Sequence, residues 1–207
     1  MGDERELVLA SRNVDKVAEL ADLLLGLDLR VRAVAEFAGV PEVEETEPDL
    51  EGNAVLKART VALACGRWAL ADDTGLEVDA LGGAPGVYTA RYAGPDATYA
   101  DNVAKLLSAL EALGAGSDRS ARFRTVVALS DPRGETSAVA GVCEGVISVG
   151  PAGDAGFGYD PIFVPLEGGG DTFSEMSREE KGRISHRGRA MAAALGEIRR
   201  RMGLAGD

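Results

Sequence analysis

Ala71-Asp72-Asp73-Thr74-Gly75-Leu76 places two adjacent carboxylates directly after the apolar run Trp68-Ala69-Leu70-Ala71. Carboxylate oxygens are hard donors that suit Mg²⁺ or Ca²⁺, and open α/β sheets bind their ligands at strand ends. The pattern predicts a strand over Trp68–Ala71 that ends at the pair, with Gly75 releasing the backbone. Neighbouring strand side chains point to opposite faces, so only one of Asp72 and Asp73 can face a given site. Taken alone, the pair suits a capped, solvated turn as well as it suits a metal site.

A second candidate is Ser11-Arg12-Asn13-Val14-Asp15-Lys16, a polar turn between an apolar strand and a helix. A helix start offers backbone N–H groups and a positive dipole end, a combination suited to phosphate. Lys16 is disfavoured there by the dipole; a bound anion would relieve the conflict, and Asp15 offsets part of it. The turn lacks the glycines of a Walker A loop or a dinucleotide fingerprint, so kinase-like and dehydrogenase readings lose support. As an isolated fragment it reads more readily as an Asn cap followed by a solvated lysine.

Other groups are equally ambiguous one at a time. Glu44 and Glu45 lie in the acidic run Glu42-Val-Glu-Glu-Thr-Glu-Pro48, which by charge alone is a solvated loop. Asn53 and Lys57 share a helix face one turn apart and alone read as surface residues. Gly156-Phe157-Gly158-Tyr159-Asp160-Pro161 is too irregular for a helix; an exposed ring there could stack on a planar heterocycle and Asp160 could accept from a ring N–H, while a buried turn with core aromatics fits as well. The sole histidine, His186, sits beside Ser185 and Arg187 shortly after Lys181, and a metal site built on histidines is excluded by number.

The elements that must position these groups are legible from periodicity. Glu6–Ala10 reads as a strand, followed by a helix with Val14, Val17, Leu20, Ala21 and Leu24 at helical spacing. A second strand over Leu29–Ala33, a helix from about Leu50 to Ala64 and a third from about Thr98 to Leu113 follow. Ala121–Ser130 and Glu135–Val149 read as strands joined by the turn Asp131-Pro-Arg-Gly134. Gly168–Gly170 reads as a flexible loop. Ser177 with Glu180 fits a capping box before a short helix that Gly182 would end, and Ser185 can cap the last helix, ending near Met202. Early strand–helix alternation with a later hairpin predicts an α/β fold with a mixed sheet flanked by helices.

Bulk properties narrow the function. The 207 residues suit one domain, or two lobes sharing a sheet, with a core large enough to fold without staples. With 22 Lys and Arg against 34 Asp and Glu, the net charge of −12 opposes binding to nucleic acid or anionic membranes, so an anionic ligand needs a local cationic cluster. Cys65 and Cys143 have no metal-ligand spacing and read as buried free thiols. The acidic amino terminus does not match a signal peptide, and no apolar run reaches membrane-spanning length, so a soluble cytoplasmic protein is expected.

Together, Ser11-x-Asn13-x-x-Lys16, Ala71-Asp-Asp-Thr-Gly-Leu76, Leu81-Gly-Gly-Ala-Pro-Gly-Val-Tyr-Thr-Ala-Arg-Tyr-Ala-Gly94, Phe157-Gly-Tyr-Asp-Pro161 and Ser185-His-Arg187 closely resemble the inosine triphosphate pyrophosphatase family. The blocks stand in the family's order over nearly the whole chain. The resemblance implies hydrolysis of ITP, dITP and XTP to monophosphate and pyrophosphate, an elongated mixed sheet in two lobes with an active-site cleft between them, a homodimer and a requirement for Mg²⁺. By the same resemblance Asp73 matches a metal-binding acid and general base, Glu45 a second metal-site acid, and Asp72 a supporting neighbour. Ser11, Arg12, Asn13, Val14, Asp15 and Lys16 match the segment that binds the phosphate end, with Lys57 expected to assist. Thr74 matches a substrate-binding serine. Phe157, Gly158, Tyr159 and Asp160 match the base pocket, and Lys181, His186 and Arg187 match further substrate contacts.

Two positions depart from the family's pattern: Thr74 replaces serine but keeps the hydroxyl, and Ser11-Arg12 replaces the commoner Thr-Gly and adds a cation that could alter phosphate affinity. Donors of the His186-Arg187 segment would pair with the 6-keto group of hypoxanthine or xanthine and be left unpaired by adenine. Rejection of GTP must come from the 2-position, by an arrangement the sequence does not show. A pyrophosphatase for modified pyrimidine or methylated nucleotides and a nucleotide sensor without hydrolysis are the competing readings; retention of Glu45, Asp73 and Lys16 counts against the sensor. Haloacid-dehalogenase chemistry is disfavoured because Asp72-Asp73-Thr74 lacks that family's alternating acids.

Overall fold

β1 (Glu6–Leu9) is buried along its whole length, as a parallel strand flanked on both sides must be. In the computed structural model, which describes residues 5–114 and 116–204, it pairs in parallel with β2 (Arg30–Ala33) and with β3 (Trp68–Val78). β4 (Pro85–Gly86) runs antiparallel to the far part of β3. β5 (Ser120–Ser130) and β6 (Thr136–Ile147) are joined through the tight turn at Asp131, and β7 (Phe163–Pro165) closes the sheet antiparallel to β6. The seven strands run in the order β2-β1-β3-β5-β6-β7, with β4 on β3. The expected mixed sheet is borne out.

Among the described residues five α-helices accompany it: α1 (Val14–Leu23), α2 (Leu50–Cys65), α3 (Tyr99–Ala112), α4 (Arg178–Ile184) and α5 (His186–Met202). Their starts are capped by side chains, at Asn13, Ser177 and Ser185 as predicted and also at Asp49 and Thr98. Asn13 accepts from the N–H groups of Asp15 and Lys16, Asp49 accepts from Gly52, and Thr98 with Asp101 and Ser177 with Glu180 form capping boxes. Ser185 Oγ accepts from Gly188 N at 3.1 Å and so caps α5. Two expectations are corrected. α4 runs past Gly182 to Ile184, because a single glycine weakens a helix without ending it. Val14 is 77% exposed, since the first residue of α1 lies outside its buried stripe.

A larger correction concerns β3, which continues for 11 residues instead of ending at the aspartates. Leu76 and Glu77 find partners in Gly86 and Pro85, so the strand is extended by pairing with a segment ten residues on in the chain. Asp72 and Asp73 therefore lie in mid-strand, both buried.

The chain forms two compact units. The first takes in the chain through Asp73, Thr125–Gly141 and the chain from Ala190; the second takes in Thr74–Arg124 and Val142–Arg189. Each has its own core. Leu7, Leu9, Leu20, Leu70, Val127, Leu129, Met191 and Ile198 centre the first; Leu76, Leu106, Leu110, Phe123, Tyr159, Phe163 and Phe173 centre the second. Cys143 is buried, Cys65 half-buried, and both are free thiols.

Candidate active site

The two adjacent aspartates of β3 separate as strand alternation requires. Asp72 pairs with Lys16 of α1, Oδ2 to Nζ 3.3 Å, whereas Asp73 pairs with Lys57 of α2, Oδ1 to Nζ 2.7 Å. The Asp72 carboxylate supplies the anion that relieves the clash between Lys16 and the α1 dipole. Lys57 also reaches Glu45, Nζ to Oε1 3.0 Å, so one ammonium is clasped between acids from the acidic loop and from β3. Of the two residues that alone read as surface positions, Asn53 is buried and Lys57 half-buried.

Electrostatics in this cluster oppose one another. Burial pushes the Asp73 carboxyl up to about 6; Lys57 and Lys16 pull it down, but Glu45 adds to the upward push. For Lys57, burial works against its charge, and Asp73, Glu45 and Asp72 together more than compensate and raise its pKa. The result is a buried base near neutrality beside a firmly charged lysine. Among the described residues no three His, Cys, Asp or Glu side chains gather into a metal-holding group. Glu45 and Asp73 nevertheless bring two hard carboxylate donors to one centre of positive charge, a donor set whose chemistry fits Mg²⁺.

Glu45 has no strand or helix to hold it, so its loop is pinned at both ends. Arg12 donates from Nη2 to the Val40 carbonyl at 3.1 Å. Asn53 of α2 accepts from Glu47 N at 3.0 Å and donates to Glu47 O at 3.3 Å. Arg12, expected among the phosphate-binding residues, is thus engaged in fastening the loop. The same turn satisfies much of its own backbone: Ser11 Oγ accepts from Asn13 N, and Asn13 Oδ1 from Asp15 N and Lys16 N. Val14 is exposed and Asp15 half-buried. The cationic side chain of Lys16, more than the turn's N–H groups, is what this segment offers an anion.

The second unit gathers the other predicted residues. Gly156 and Gly158 hold positive φ values of 76° and 64°, and a Cβ on Gly156 would collide with the Asp160 carboxylate. Asp160 is buried, accepting from Phe157 N at 2.8 Å and from Lys181 Nζ at 2.8 Å. It therefore locks Phe157 to Lys181. Lys181 Nζ lies 5.2 Å and Arg187 Cζ 5.6 Å from the centre of the half-buried Phe157 ring, within cation–π range. Arg187, itself buried, donates from Nη2 to Thr74 Oγ1 at 3.3 Å.

Tyr159 and His186 are core residues. The Tyr159 hydroxyl donates to the Thr89 carbonyl at 3.1 Å, and burial raises its pKa. His186 stacks on Phe123 at 4.3 Å between centroids. Sequence reasoning passed over two residues of this neighbourhood. Tyr99, at the start of α3, lies 5.9 Å from Phe157 ring to ring. Asn102, one turn further, is buried and holds Ala93 N at 2.7 Å and Ala90 O at 3.0 Å. The available signal was a helix-disfavoured Asn inside an apolar stripe, the same signal that marks Asn53.

Residues 7–196 match the model of the Ham1 family. The chain is 49% identical to a dITP/XTP pyrophosphatase of Desulforamulus reducens over 92% of this chain and 94% of that one, and 50% identical to one of Chlorobaculum tepidum over 94% and 93%. Among solved structures, a HAM1 protein from Coxiella burnetii superposes with a TM-score of 0.82 at 45% identity, covering 93% of this chain and 98% of its own. A nucleoside-triphosphatase/dITP/XTP pyrophosphatase from Mycobacterium abscessus gives 0.72 at 43% identity, covering 92% and 98%. The resemblance carried by the five sequence blocks is borne out.

Proposed function

The chain belongs to the Ham1 family, and from that premise we propose that it hydrolyses the non-standard purine nucleotides dITP, XTP and ITP to the nucleoside monophosphate and pyrophosphate, removing them before they enter DNA or RNA. The relatives named dITP/XTP pyrophosphatases support the reaction. The observation that carries it on this chain is the clasp of Lys57 between Glu45 and Asp73. Carboxylates converging from two elements on one positive charge suit a metal–nucleotide centre, and a base with its pKa near 6 is matched to proton transfer at neutral pH.

Asp73 takes the proton of the water that attacks the α-phosphorus, and Lys57 holds Asp73 and Glu45 together against their mutual repulsion. Glu45 and Asp73 would hold Mg²⁺, which when bound spreads the charge developing on the leaving pyrophosphate. Lys16 neutralises the phosphate tail, supported from behind by Asp72. Phe157 offers its ring to the base, and Asp160 fixes both Phe157 and Lys181. Arg187, with its planar fork of donors, pairs with the 6-keto oxygen in this reading, supported by its donation to the Thr74 hydroxyl. The same reading includes a homodimer and the cytoplasm as the site of action. Family membership supports both; no helix among the described residues is long and apolar enough to cross a membrane.

The test is a parallel incubation with Mg²⁺ and ITP, XTP, dITP, GTP or ATP, with products identified. Monophosphate and pyrophosphate from ITP, XTP and dITP, with little turnover of ATP or GTP, is the expected result. Diphosphate and phosphate, or equal use of ATP, would overturn the reading.

A further inference from the structure

Tyr99 lies outside every motif that carries the family resemblance. It is the first residue of α3, immediately after the cap, where Thr98 and Asp101 hold one another in a capping box. Nothing in helix formation asks for tyrosine at this place: the first turn favours acidic residues or proline, and the cap needs only Thr98 and Asp101. The side chain is not there for the core either, since Tyr99 is 41% exposed. Its ring instead meets the Phe157 ring, with centroids 5.9 Å apart and planes inclined at 38°. Asp160 anchors the Phe157 backbone through its N–H, and the capping box fixes the start of α3 that carries Tyr99, so the backbone under each ring is held.

Two inclined rings make a corner. A flat heterocycle laid against one ring presents its edge to the other, the arrangement that aromatic quadrupoles favour. With Lys181 and Arg187 beside the same Phe157 ring, the corner joins apolar faces to cationic hydrogen-bond donors, which suits an oxygen-rich purine such as xanthine or hypoxanthine. We propose that Tyr99 is a second aromatic contact for the purine base, forming with Phe157 an angled wall that sets affinity for the base irrespective of the sugar. This rests on the proposed pyrophosphatase reading and adds to it a contact residue outside the motif blocks.

The experiment is steady-state kinetics on XTP and dITP with Tyr99→Ala, Tyr99→Phe, Phe157→Ala and the Tyr99→Ala/Phe157→Ala double variant, each with its melting temperature. Tyr99→Ala is expected to raise KM about five-fold for both nucleotides, with the loss confined to KM. Tyr99→Phe, which keeps the ring, restores most of that affinity, and the double variant loses less than the product of the single losses. An unchanged KM in a natively melting Tyr99→Ala, or a loss shared equally by kcat and tracking a lowered melting temperature, would overturn the proposal. If the wild-type protein hydrolyses neither nucleotide, the activity reading fails, and calorimetric titration with XMP decides Tyr99 separately. Weaker XMP binding by Tyr99→Ala supports the contact; equal binding, or none by the wild type, overturns it.

Discussion

At Asp73 the fold tolerates a charge that burial resists. Its carboxyl is pushed up to about 6 by desolvation and by Glu45 even with Lys57 at 2.7 Å, so the ionised form is held at a cost to folding. The sign follows: a carboxyl whose folded pKa lies above its unfolded value destabilises the native state once the pH exceeds the unfolded value. Asp73→Asn keeps the shape and removes that charge. It is expected to lower turnover of XTP by at least about a hundred-fold, the low end for loss of a general base, while the melting temperature in the absence of added metal holds or rises. Near-normal turnover would remove Asp73 from its role; lost turnover accompanied by a large fall in melting temperature would make it a structural residue instead. Tyr159 and His186 mark the opposite case. Both belong to motif blocks, and both are built into the second core through the Thr89 carbonyl and the Phe123 ring.

At the scale of elements, the acidic loop carrying Glu45 depends on side chains from two neighbours, Arg12 after β1 and Asn53 in α2. Arg12→Ala removes the first of these pins. Amide hydrogen exchange over residues 38–47 should then accelerate several-fold, while the protection of α2 stays as it is, because Asn53 and Asp49 still hold the helix start. Unchanged exchange in the loop would show that Arg12 does not fasten it. This loop also shows which parts of the molecule were legible beforehand. Helix starts were readable because a cap is a local device: Asn13, Thr98, Ser177 and Ser185 each bond within four residues. Asp73, Lys57 and Glu45 could be named together only through the family resemblance, since nothing in an acidic run singles out Glu45. What stayed illegible was non-local. β3 runs past the aspartates because β4 returns to pair with it, and Lys57 is held half-buried where Glu45 and Asp73 converge on it. Asn53 and Asn102 carried a faint sign, a polar residue in an apolar helical stripe, whose meaning appears only when the clamped loop is seen.

For the whole molecule, a net charge of −12 makes acid stability a matter of which carboxylates the fold has committed. Glu6 is one, buried in β1, where it accepts from Arg32 Nη1 at 2.9 Å and Arg67 Nε at 3.0 Å. Burial alone would push its pKa up, but the two arginines outweigh it and hold the pKa low. A carboxyl depressed in the folded state stabilises fully above its unfolded pKa, and that stabilisation is lost as the pH falls through the folded value. Glu6→Gln should therefore cost about 2 kcal/mol near neutral pH, the scale of hydrogen bonds to a charged group, and progressively less as the pH falls below the ordinary carboxylate range through the depressed folded pKa. A difference from the wild type that is constant across pH, read by denaturant titration, would contradict this. The proposed reaction draws on residues spread along the sequence from Ser11 to Arg187. Its most direct test is hydrolysis of XTP in oxygen-18 water, with both products examined by mass spectrometry. Label confined to XMP is the predicted result, because water attacks the α-phosphorus; label in pyrophosphate, or release of XDP and phosphate, would contradict the account.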